Sequence, residues 1–328
     1  MTIQTSHGKA FEFTCITALL DTLTDLGIEN VSIQNDAPFL TVKHCFQEVE
    51  SINKKYSVEL MMAGKKLSEI LLKTEPNLTS FSNTDRLILS IQPDSKGQLG
   101  DVRDFLAIRM ASSHEIGWQF GVSCKHNHQA VKHPRMSPSI DFGKEWLSQP
   151  LTTSDFTNLR NIFGQVDIDR NNGKYNWNDL ETQDKLDRYY KPLLEMVIQK
   201  IQEHPDQKKM SQHIISYLIG NKDFYKAIYK TNSKELIVQG FNFNGTLNLK
   251  SSMSTPLLKV DKLSLPNRVI GVGMKPDSET TLEIFFDKGW QVSMRIHNAS
   301  TKLEQSLKMD VQLMGTPSIF SYSEKVSL

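Results

Sequence analysis

The chain has 328 residues, of which 38% are hydrophobic and 23% charged, and its formal net charge is +1. This composition is typical of an ordinary globular protein with room for two domains. No apolar run approaches the about 20 residues of a membrane span, and the N-terminus lacks the pattern of a signal peptide. The three scattered cysteines fit a reducing compartment. We therefore expect a cytoplasmic protein without a membrane partner, while the near-zero charge neither requires nor excludes nucleic acid.

The first hundred residues predict mainly helices. A first helix is expected from a cap at Ser6 to a stop at Gly27, with apolar residues at helical spacing. These apolar residues are Phe11, Cys15, Ala18, Leu19 and Leu26. Two more helices are expected between Phe39 and Pro76, since proline favours the end of a helix. The following "DRLILSIQPD" predicts a short buried strand closed by a Pro-Asp turn.

Two further strands are expected in "DFLAIRM" and "GWQFGVSCK". The second segment alternates in polarity with the period of a strand. Its polar side chains Gln119, Ser123 and Lys125 should share one face of the strand. The opposite face should carry Trp118, Phe120, Val122 and Cys124.

The rest of the chain changes in texture near residue 230. The stretch from about Leu151 to Tyr229 is rich in charges and amides and predicts helices. After Thr231, short β-rich segments are separated by turn residues, and "FFDKGWQVSMRI" predicts a hairpin around Asp287–Gly289.

An aspartate and a lysine stand at the ends of two successive strands. Asp104 opens "DFLAIRM", and Lys125 closes "GWQFGVSCK". A carboxylate can hold a hard cation such as Mg²⁺, which polarises a phosphate and acidifies a bound water. A neighbouring ammonium group can position that water and offset charge in the transition state. The pair therefore indicates phosphodiester cleavage with Mg²⁺ as cofactor.

The arrangement resembles the PD-(D/E)xK nuclease superfamily, with Asp104 as the first aspartate and "SCK" in place of (D/E)xK. Over longer stretches the chain resembles the HaeIII-type family of type II restriction endonucleases. These stretches are "GDVRDFLAIR", "KHNHQAVKHPRMS", "DFGKEW" and "WQVSMRIHNASTKLEQSLKMDVQLMG". The resemblance implies Mg²⁺-dependent cleavage of double-stranded DNA at GGCC, leaving 5′-phosphate ends.

The resemblance also implies the fold. We predict an α/β protein with a PD-(D/E)xK restriction-endonuclease-like core, a mixed sheet flanked by helices, plus a helical insertion and a β-rich C-terminal region. Residues 1–150 would form the nuclease core with its N-terminal helices, 151–230 the helical region, and 231–328 the DNA-recognition region. A symmetric target favours a homodimer, although monomers that cut one strand after the other fit as well. A cognate DNA methyltransferase would act on the same site without needing to bind this protein.

Ser123 departs from the superfamily pattern, which has Asp or Glu at that position. A hydroxyl is a poorer Mg²⁺ ligand than a carboxylate, so a second acid is expected from elsewhere. Glu12 of the first helix is the favoured candidate, and Glu115 and Asp101 are the alternatives. The departure also keeps open a second class of protein, a non-catalytic DNA-binding protein with a degenerate nuclease core.

A basic, histidine-rich run follows Lys125, where the scissile phosphates should lie. Lysine and arginine there would neutralise phosphates and make binding salt-dependent. The expected DNA contacts in this run are His126, Asn127, His128, Lys132, His133 and Arg135. Their spacing with Cys124 does not match the common structural zinc patterns. The three adjacent letters "HNH" do not match the widely spaced residues of the ββα-metal nucleases either.

A second group of expected DNA contacts lies in "RIHNAS" near the C-terminus, at a strand end. Arg295, His297 and Asn298 could contact base edges or phosphates, since arginine pairs with guanine and asparagine with adenine. A solvated hairpin surface is the alternative interpretation of each of these residues.

Overall fold

The computed structural model of the protein describes residues 3–80, 85–98, 101–111, 115–127 and 132–326. The chain folds into two compact units. The first unit comprises Met1–Gln129, Asn221–Leu263 and Ser318–Leu328, and the second comprises Ala130–Gly220 and Ser264–Pro317. Both units are thus interleaved along the chain, whereas the sequence analysis divides it into three consecutive regions.

The helices and strands are numbered in chain order. The helices are α1 (Ile3–Asp25), α2 (Ala37–Ile52), α3 (Lys54–Thr74), α4 (Ser95–Gln98), α5 (Phe142–Leu147), α6 (Thr153–Asn171), α7 (Thr182–Lys185), α8 (Lys191–Gln202) and α9 (Gln207–Ile219). The strands are β1 (Val31–Ile33), β2 (Arg86–Ile91), β3 (Phe105–Met110), β4 (Ile116–His126), β5 (Arg135–Met136), β6 (Phe224–Lys230), β7 (Glu235–Phe241), β8 (Val269–Met274), β9 (Thr281–Phe286), β10 (Gln291–Asn298), β11 (Leu307–Gly315) and β12 (Phe320–Lys325).

A seven-stranded mixed sheet organises the first unit, in the order β1-β2-β3-β4-β6-β7-β12. The pairs β1–β2 and β4–β6 are parallel, and the other neighbours are antiparallel. Helices α1, α2 and α3 pack on one another, and α1 contacts β4. The mixed sheet with flanking helices that the sequence predicts is therefore confirmed.

The alternation of β4 decides which face of this sheet is buried. Phe120, Val122 and Cys124 are at most 6% exposed and join one core with Phe11 and Leu19 of α1. The alternate side chains of β4 point to the opposite face, as its polarity pattern predicts. The buried face of β4 therefore packs against α1.

The approach of α1 to α3 depends on Gly64. A Cβ atom at this position of α3 would overlap the backbone carbonyl of Thr14 in α1. Glycine thus permits two helices to pack at a distance that any side chain would increase.

A five-stranded antiparallel sheet, in the order β5-β11-β10-β9-β8, organises the second unit. One face is apolar, and Ile284 and Met294 on that face lie with Trp146 of α5 and Ile214 and Leu218 of α9 around a small apolar space. The predicted hairpin is confirmed, because β9 and β10 pair antiparallel across Asp287–Gly289.

Two details of α1 differ from the prediction. The helix begins at Ile3, so Ser6 lies inside the helix and does not cap it. It ends at Asp25, and Gly27 adopts a φ of 79°, as expected for a glycine that stops a helix. Leu26 lies beyond the last turn and is 56% exposed, so it does not extend the apolar face of the helix as its spacing suggested.

The strand β6 lies in a stretch that the sequence analysis predicts to be helical. Its sequence "FYKAIYK" is buried along almost its whole length, because β6 is an interior strand of the sheet. A short, fully buried run has no polar alternation, so periodicity alone does not separate strand from helix. No helix among the described residues is long and apolar enough to span a membrane.

Candidate active site

Asp104 and Lys125 converge at one end of the β3–β4 pair. The two strands pair antiparallel with Phe105 opposite Val122, and the Asp104 N–H donates to the Val122 carbonyl at 2.8 Å. Asp104 directly precedes β3, which begins at Phe105. Its side-chain oxygen Oδ2 accepts a hydrogen bond from the backbone N–H of Cys124, at 2.6 Å. The start of one strand therefore holds the aspartate against the end of its neighbour.

The Asp104 carboxylate accepts two further hydrogen bonds at the same oxygen. Lys125 Nζ lies 3.3 Å and Ser123 Oγ lies 3.2 Å from Oδ2. The side chains of Asp104 and Lys125 are 21% and 29% exposed, so both groups can meet a ligand. Ser123 thus donates a hydrogen bond to the aspartate in the position where the superfamily pattern has an acid.

Glu12 of α1 lies near this pair. It is 6% exposed and forms an ion pair with Lys9, one turn earlier, at 3.1 Å. Burial raises the pKa of Glu12, and the negative charge of Asp104 raises it further, which outweighs the lowering by Lys9. Lys9 also contacts Asp94 at 2.7 Å. The favoured second acid and Asp104 therefore influence each other electrostatically.

Lys125 is held in its charged form. Burial would lower its pKa, but the carboxylates of Asp104 and Glu12 raise it above the ordinary value. A lysine that keeps its proton can donate hydrogen bonds and offset negative charge, whereas it cannot accept a proton from water.

Two carboxyl groups in one partly buried place form a suitable site for a divalent cation. The mutual repulsion that raises the pKa of Glu12 is the interaction that a cation would offset. Mg²⁺ is usually bound by one or two carboxylates with water and substrate phosphates as the other ligands. Asp104 and Glu12 fit that donor set. In the described part of the chain, no three His, Cys, Asp or Glu side chains are grouped as metal ligands.

The two alternative acids lie in different surroundings. Asp101 is held by Arg103, whose Nε and Nη2 contact its two carboxylate oxygens at 2.7 and 2.6 Å. Glu115 is exposed and precedes β4, where its carbonyl accepts from the Ala111 N–H. Glu115 precedes the first residue of β4, whereas Asp104 lies beside Cys124 near its last residue. A strand rises about 3.3 Å per residue, so most of the length of β4 separates the two acids. The structure therefore does not bring Glu115 to the site.

His126 and Asn127 lie beyond Lys125 but face a different cavity. The His126 ring contacts the hydroxyl of Tyr56, and its Nε2 lies 3.0 Å from Thr231 Oγ1. Asn127 Nδ2 also donates to Thr231 Oγ1, at 2.9 Å. Burial and, to a smaller extent, the neighbouring His7 lower the pKa of His126 to about 4. The residues line a cavity of about 770 Å³. His128 lies outside the described residues.

The basic residues at the start of the second unit contact other residues of the same chain. Lys132 lies over the ring of Tyr217, 3.4 Å from its centroid, and donates to the Tyr217 carbonyl at 2.9 Å. His133 Nδ1 is 3.4 Å from Asp310. Arg135 is exposed and contacts Ser306 Oγ at 3.3 Å. Lys132 therefore has a packing role, whereas Arg135 remains accessible.

We expect Lys132→Gln to alter stability without altering DNA binding. Burial lowers the pKa of Lys132 from 10.5 to about 8, so the unfolded chain binds more protons between these pH values and stability from this group rises with pH. Thermal unfolding of the variant should lack this rise above pH 8. The salt dependence of its DNA binding should equal that of the unsubstituted protein. A smaller salt slope would instead support a phosphate contact.

The C-terminal candidates lie in β10. Arg295 has a 60% exposed side chain and lies 3.5 Å from Asp310. His297 Nδ1 is 2.9 Å from the Asn298 carbonyl, and Asn298 Nδ2 donates to the Ser300 carbonyl at 2.7 Å. The side-chain amide of Asn298 thus supports its own turn, and Arg295 is the most accessible of the three predicted contacts.

Lys226 is a residue near the site that the sequence analysis missed, because its strand β6 was predicted to be helical. Parallel pairing puts Lys226 directly beside Ser123, and paired residues of neighbouring strands share a face. It is only 7% exposed. Burial and then the positive charge of Lys125 lower its pKa to about 8. A single lysine within an apolar, aromatic run was the signal that could have revealed it.

We expect Lys226→Gln to slow DNA cleavage about a hundredfold, because a positive charge beside Lys125 is lost. Single-turnover cleavage of bound DNA measures this effect. Lys65→Gln is the matched control, since Lys65 is exposed on α3, in the helical layer on the opposite face of the sheet. An unchanged cleavage rate in Lys226→Gln would restrict Lys226 to a structural role.

Comparisons with known proteins identify the relatives of this chain. The family model of the HaeIII restriction endonuclease matches residues 8–317. The chain is 36% identical over 313 residues to the type II restriction enzyme HaeIII of Haemophilus aegyptius, which covers 95% of this chain and 94% of that protein. No solved structure shows significant similarity.

These findings define an enzyme class, the type II site-specific deoxyribonucleases, which hydrolyse DNA. The family match spans nearly the whole chain, and the identity of 36% also covers 95% of it, which is sufficient to assign the family. The chain belongs to the HaeIII restriction endonuclease family.

Proposed function

We propose that the protein cleaves double-stranded DNA at GGCC with Mg²⁺, in a PD-(D/E)xK-type site. The observation that carries the proposal is the 3.3 Å contact between Lys125 Nζ and Asp104 Oδ2. At this separation the carboxylate and the ammonium group of the sequence pattern would both reach one phosphate. The GGCC target is supported by the family and by the related HaeIII enzyme.

Asp104 and Glu12 would hold the metal ion in this site. When bound, Mg²⁺ polarises the phosphate and lowers the pKa of its water. Ser123 takes no part as a ligand in this proposal, because its hydroxyl donates to Asp104, and Glu12 replaces the missing acid. The role of Ser123 is to fix the orientation of the Asp104 carboxylate, together with the Cys124 N–H.

Lys125 would orient the attacking water and offset the charge that develops on the phosphate. Its raised pKa keeps the ammonium group charged, which suits electrostatic stabilisation of the transition state. In-line attack would leave a 5′-phosphate and a 3′-hydroxyl on the cut strands. A base for the water would have to be a group other than Lys125.

The partners of the proposed enzyme follow from its target. Double-stranded DNA is the substrate, and a cognate methyltransferase modifies the same sequence without needing to contact this chain. A two-fold dimer would match a symmetric target. The cytoplasm is the proposed location, in agreement with three cysteines that form no disulfide among themselves.

Incubation with a plasmid of known sequence tests the proposal. We expect discrete fragments with Mg²⁺ and intact plasmid with EDTA. Retention of the plasmid on a gel without cutting, under every metal condition, would instead support the alternative of a DNA-binding protein that has lost catalysis. Cutting in EDTA would contradict the metal requirement.

A further inference from the structure

One face of the sheet in the second unit carries polar side chains in two rows that cross the strands. The first row joins Arg135 of β5, Lys308 of β11 and His297 of β10, which pair in register. The second row pairs Asp310 of β11 with Arg295 of β10. Residues two apart on a strand share a face, so both rows lie on the same side of the sheet.

Asp310 lies at the centre of this face, close to two side chains that can carry a positive charge. Its carboxylate lies 3.5 Å from Arg295 Nη2 and 3.4 Å from His133 Nδ1. The side chain of Asp310 is 18% exposed, while that of Arg295 is 60% exposed. A guanidinium group has five N–H donors in a planar fork, and the contact with Asp310 involves one of its nitrogens. The carboxylate therefore restrains an arginine that can still bind a ligand.

The charge on this face favours an anionic partner. Arg135 and Lys308 are direct cross-strand neighbours, and like charges in such positions destabilise a sheet. The two described acids on the face, Asp310 and Glu283, each have a basic partner, since Glu283 lies 3.8 Å from Lys275. A polyanion would relieve the repulsion between Arg135 and Lys308.

We propose that this face binds the major groove of duplex DNA and reads its sequence through Arg295, with Asp310 as the positioning residue. We call it the recognition face and define it as His133, Arg135, Arg295, His297, Lys308 and Asp310. In this arrangement Arg295 donates to O6 and N7 of a guanine, the commonest specific contact of arginine. Lys308 and Arg135 contact phosphates, which set the register but carry no sequence information.

A β-sheet surface can serve this purpose because the major groove admits paired strands. Asp310 reduces the freedom of the Arg295 side chain before DNA arrives, so less is lost on binding. The inference rests on the proposed function, since it takes a GGCC duplex as the substrate. It adds which surface recognises the sequence and how its arginine is oriented.

The test measures binding in a catalytically inactive Lys125→Ala parent, using a GGCC duplex and a scrambled duplex. Arg295→Lys keeps the charge but loses the fork, and should weaken GGCC binding about tenfold to a hundredfold while changing scrambled binding little. Asp310→Asn should weaken GGCC binding in the same direction by a smaller factor. Equal weakening of both duplexes by Arg295→Lys would overturn the reading role.

A modified base identifies the atom that Arg295 contacts. Replacement of the target guanines by 7-deazaguanine removes N7, and should weaken binding by the parent about tenfold. The Arg295→Lys variant should show little further loss with the same duplex, because the contact is already absent. A full additional loss in the variant would show that another residue reads this atom.

Phosphate contacts are tested by salt. Lys308→Gln should weaken both duplexes alike and reduce the salt slope by about one unit. Lys208→Gln is the control, since Lys208 is exposed on α9, in the helical layer on the opposite face of the sheet. If the parent shows no preference for GGCC, the proposed target fails. The recognition face is then supported by a reduced slope in Lys308→Gln and overturned by an unchanged one.

Discussion

Replacement of Lys125 by alanine is expected to reduce DNA cleavage at least about a thousandfold, while specific binding to GGCC persists. The ammonium group is the charged donor to Asp104, at 3.3 Å, and stays charged because two carboxylates raise its pKa. Its loss removes a positive charge from the developing transition state but no group that contacts bases. Single-turnover cleavage and gel retardation measure the two effects separately.

Lys65→Ala is the control for this substitution, since it removes an exposed lysine of α3. It should cleave and bind as the unsubstituted protein does. Cleavage by Lys125→Ala at an ordinary rate would show that the site has been misassigned. A parallel loss of binding and cleavage would place Lys125 in DNA binding alone.

Asp104→Asn is expected to have an equally large effect on cleavage and a second effect on metal binding. The amide keeps an oxygen for the Cys124 N–H but loses the negative charge, so affinity for a divalent ion should fall at least about tenfold. The pKa of Glu12 should also fall, because Asp104 is the main charged group that raises it. Calorimetric titration with Ca²⁺ in the absence of DNA measures the change.

Glu115→Gln is the matched control for metal binding, since this exposed acid lies at the far end of β4. It should bind Ca²⁺ as tightly as the unsubstituted protein. Asp101→Asn should do the same, because the carboxylate of Asp101 is already paired with Arg103. Unchanged affinity in Asp104→Asn, or a loss in Glu115→Gln, would overturn the proposed ligand set.

The sequence predicts the part of the site that depends on local pattern. The strand β4 alternates in polarity, so the faces of Cys124 and Lys125 follow from the period of two. The meeting of Asp104 and Lys125 follows from the antiparallel pairing of successive strands. These features need no knowledge of distant contacts.

Other parts of the structure depend on contacts between distant segments. The strand β6 looks the same as a short buried helix in sequence, so Lys226 is missed although it lies beside Ser123. The contact of Lys132 with Tyr217 of α9 likewise joins segments that are far apart in the chain, so the sequence pattern does not reveal it. The proximity of Glu12 to Asp104 depends on the packing of α1, so the sequence could only favour Glu12 among three candidate acids.

In the proposed mechanism, Asp104 and Lys125 act together on one phosphate of a defined DNA sequence. This mechanism can be tested by digesting a DNA of known sequence with Mg²⁺ and sequencing the fragment ends. We expect every end to lie within GGCC and to carry a 5′-phosphate, and we expect Lys125→Ala to yield no such ends. Ends scattered over unrelated sequences, or the same ends produced by Lys125→Ala, would contradict it.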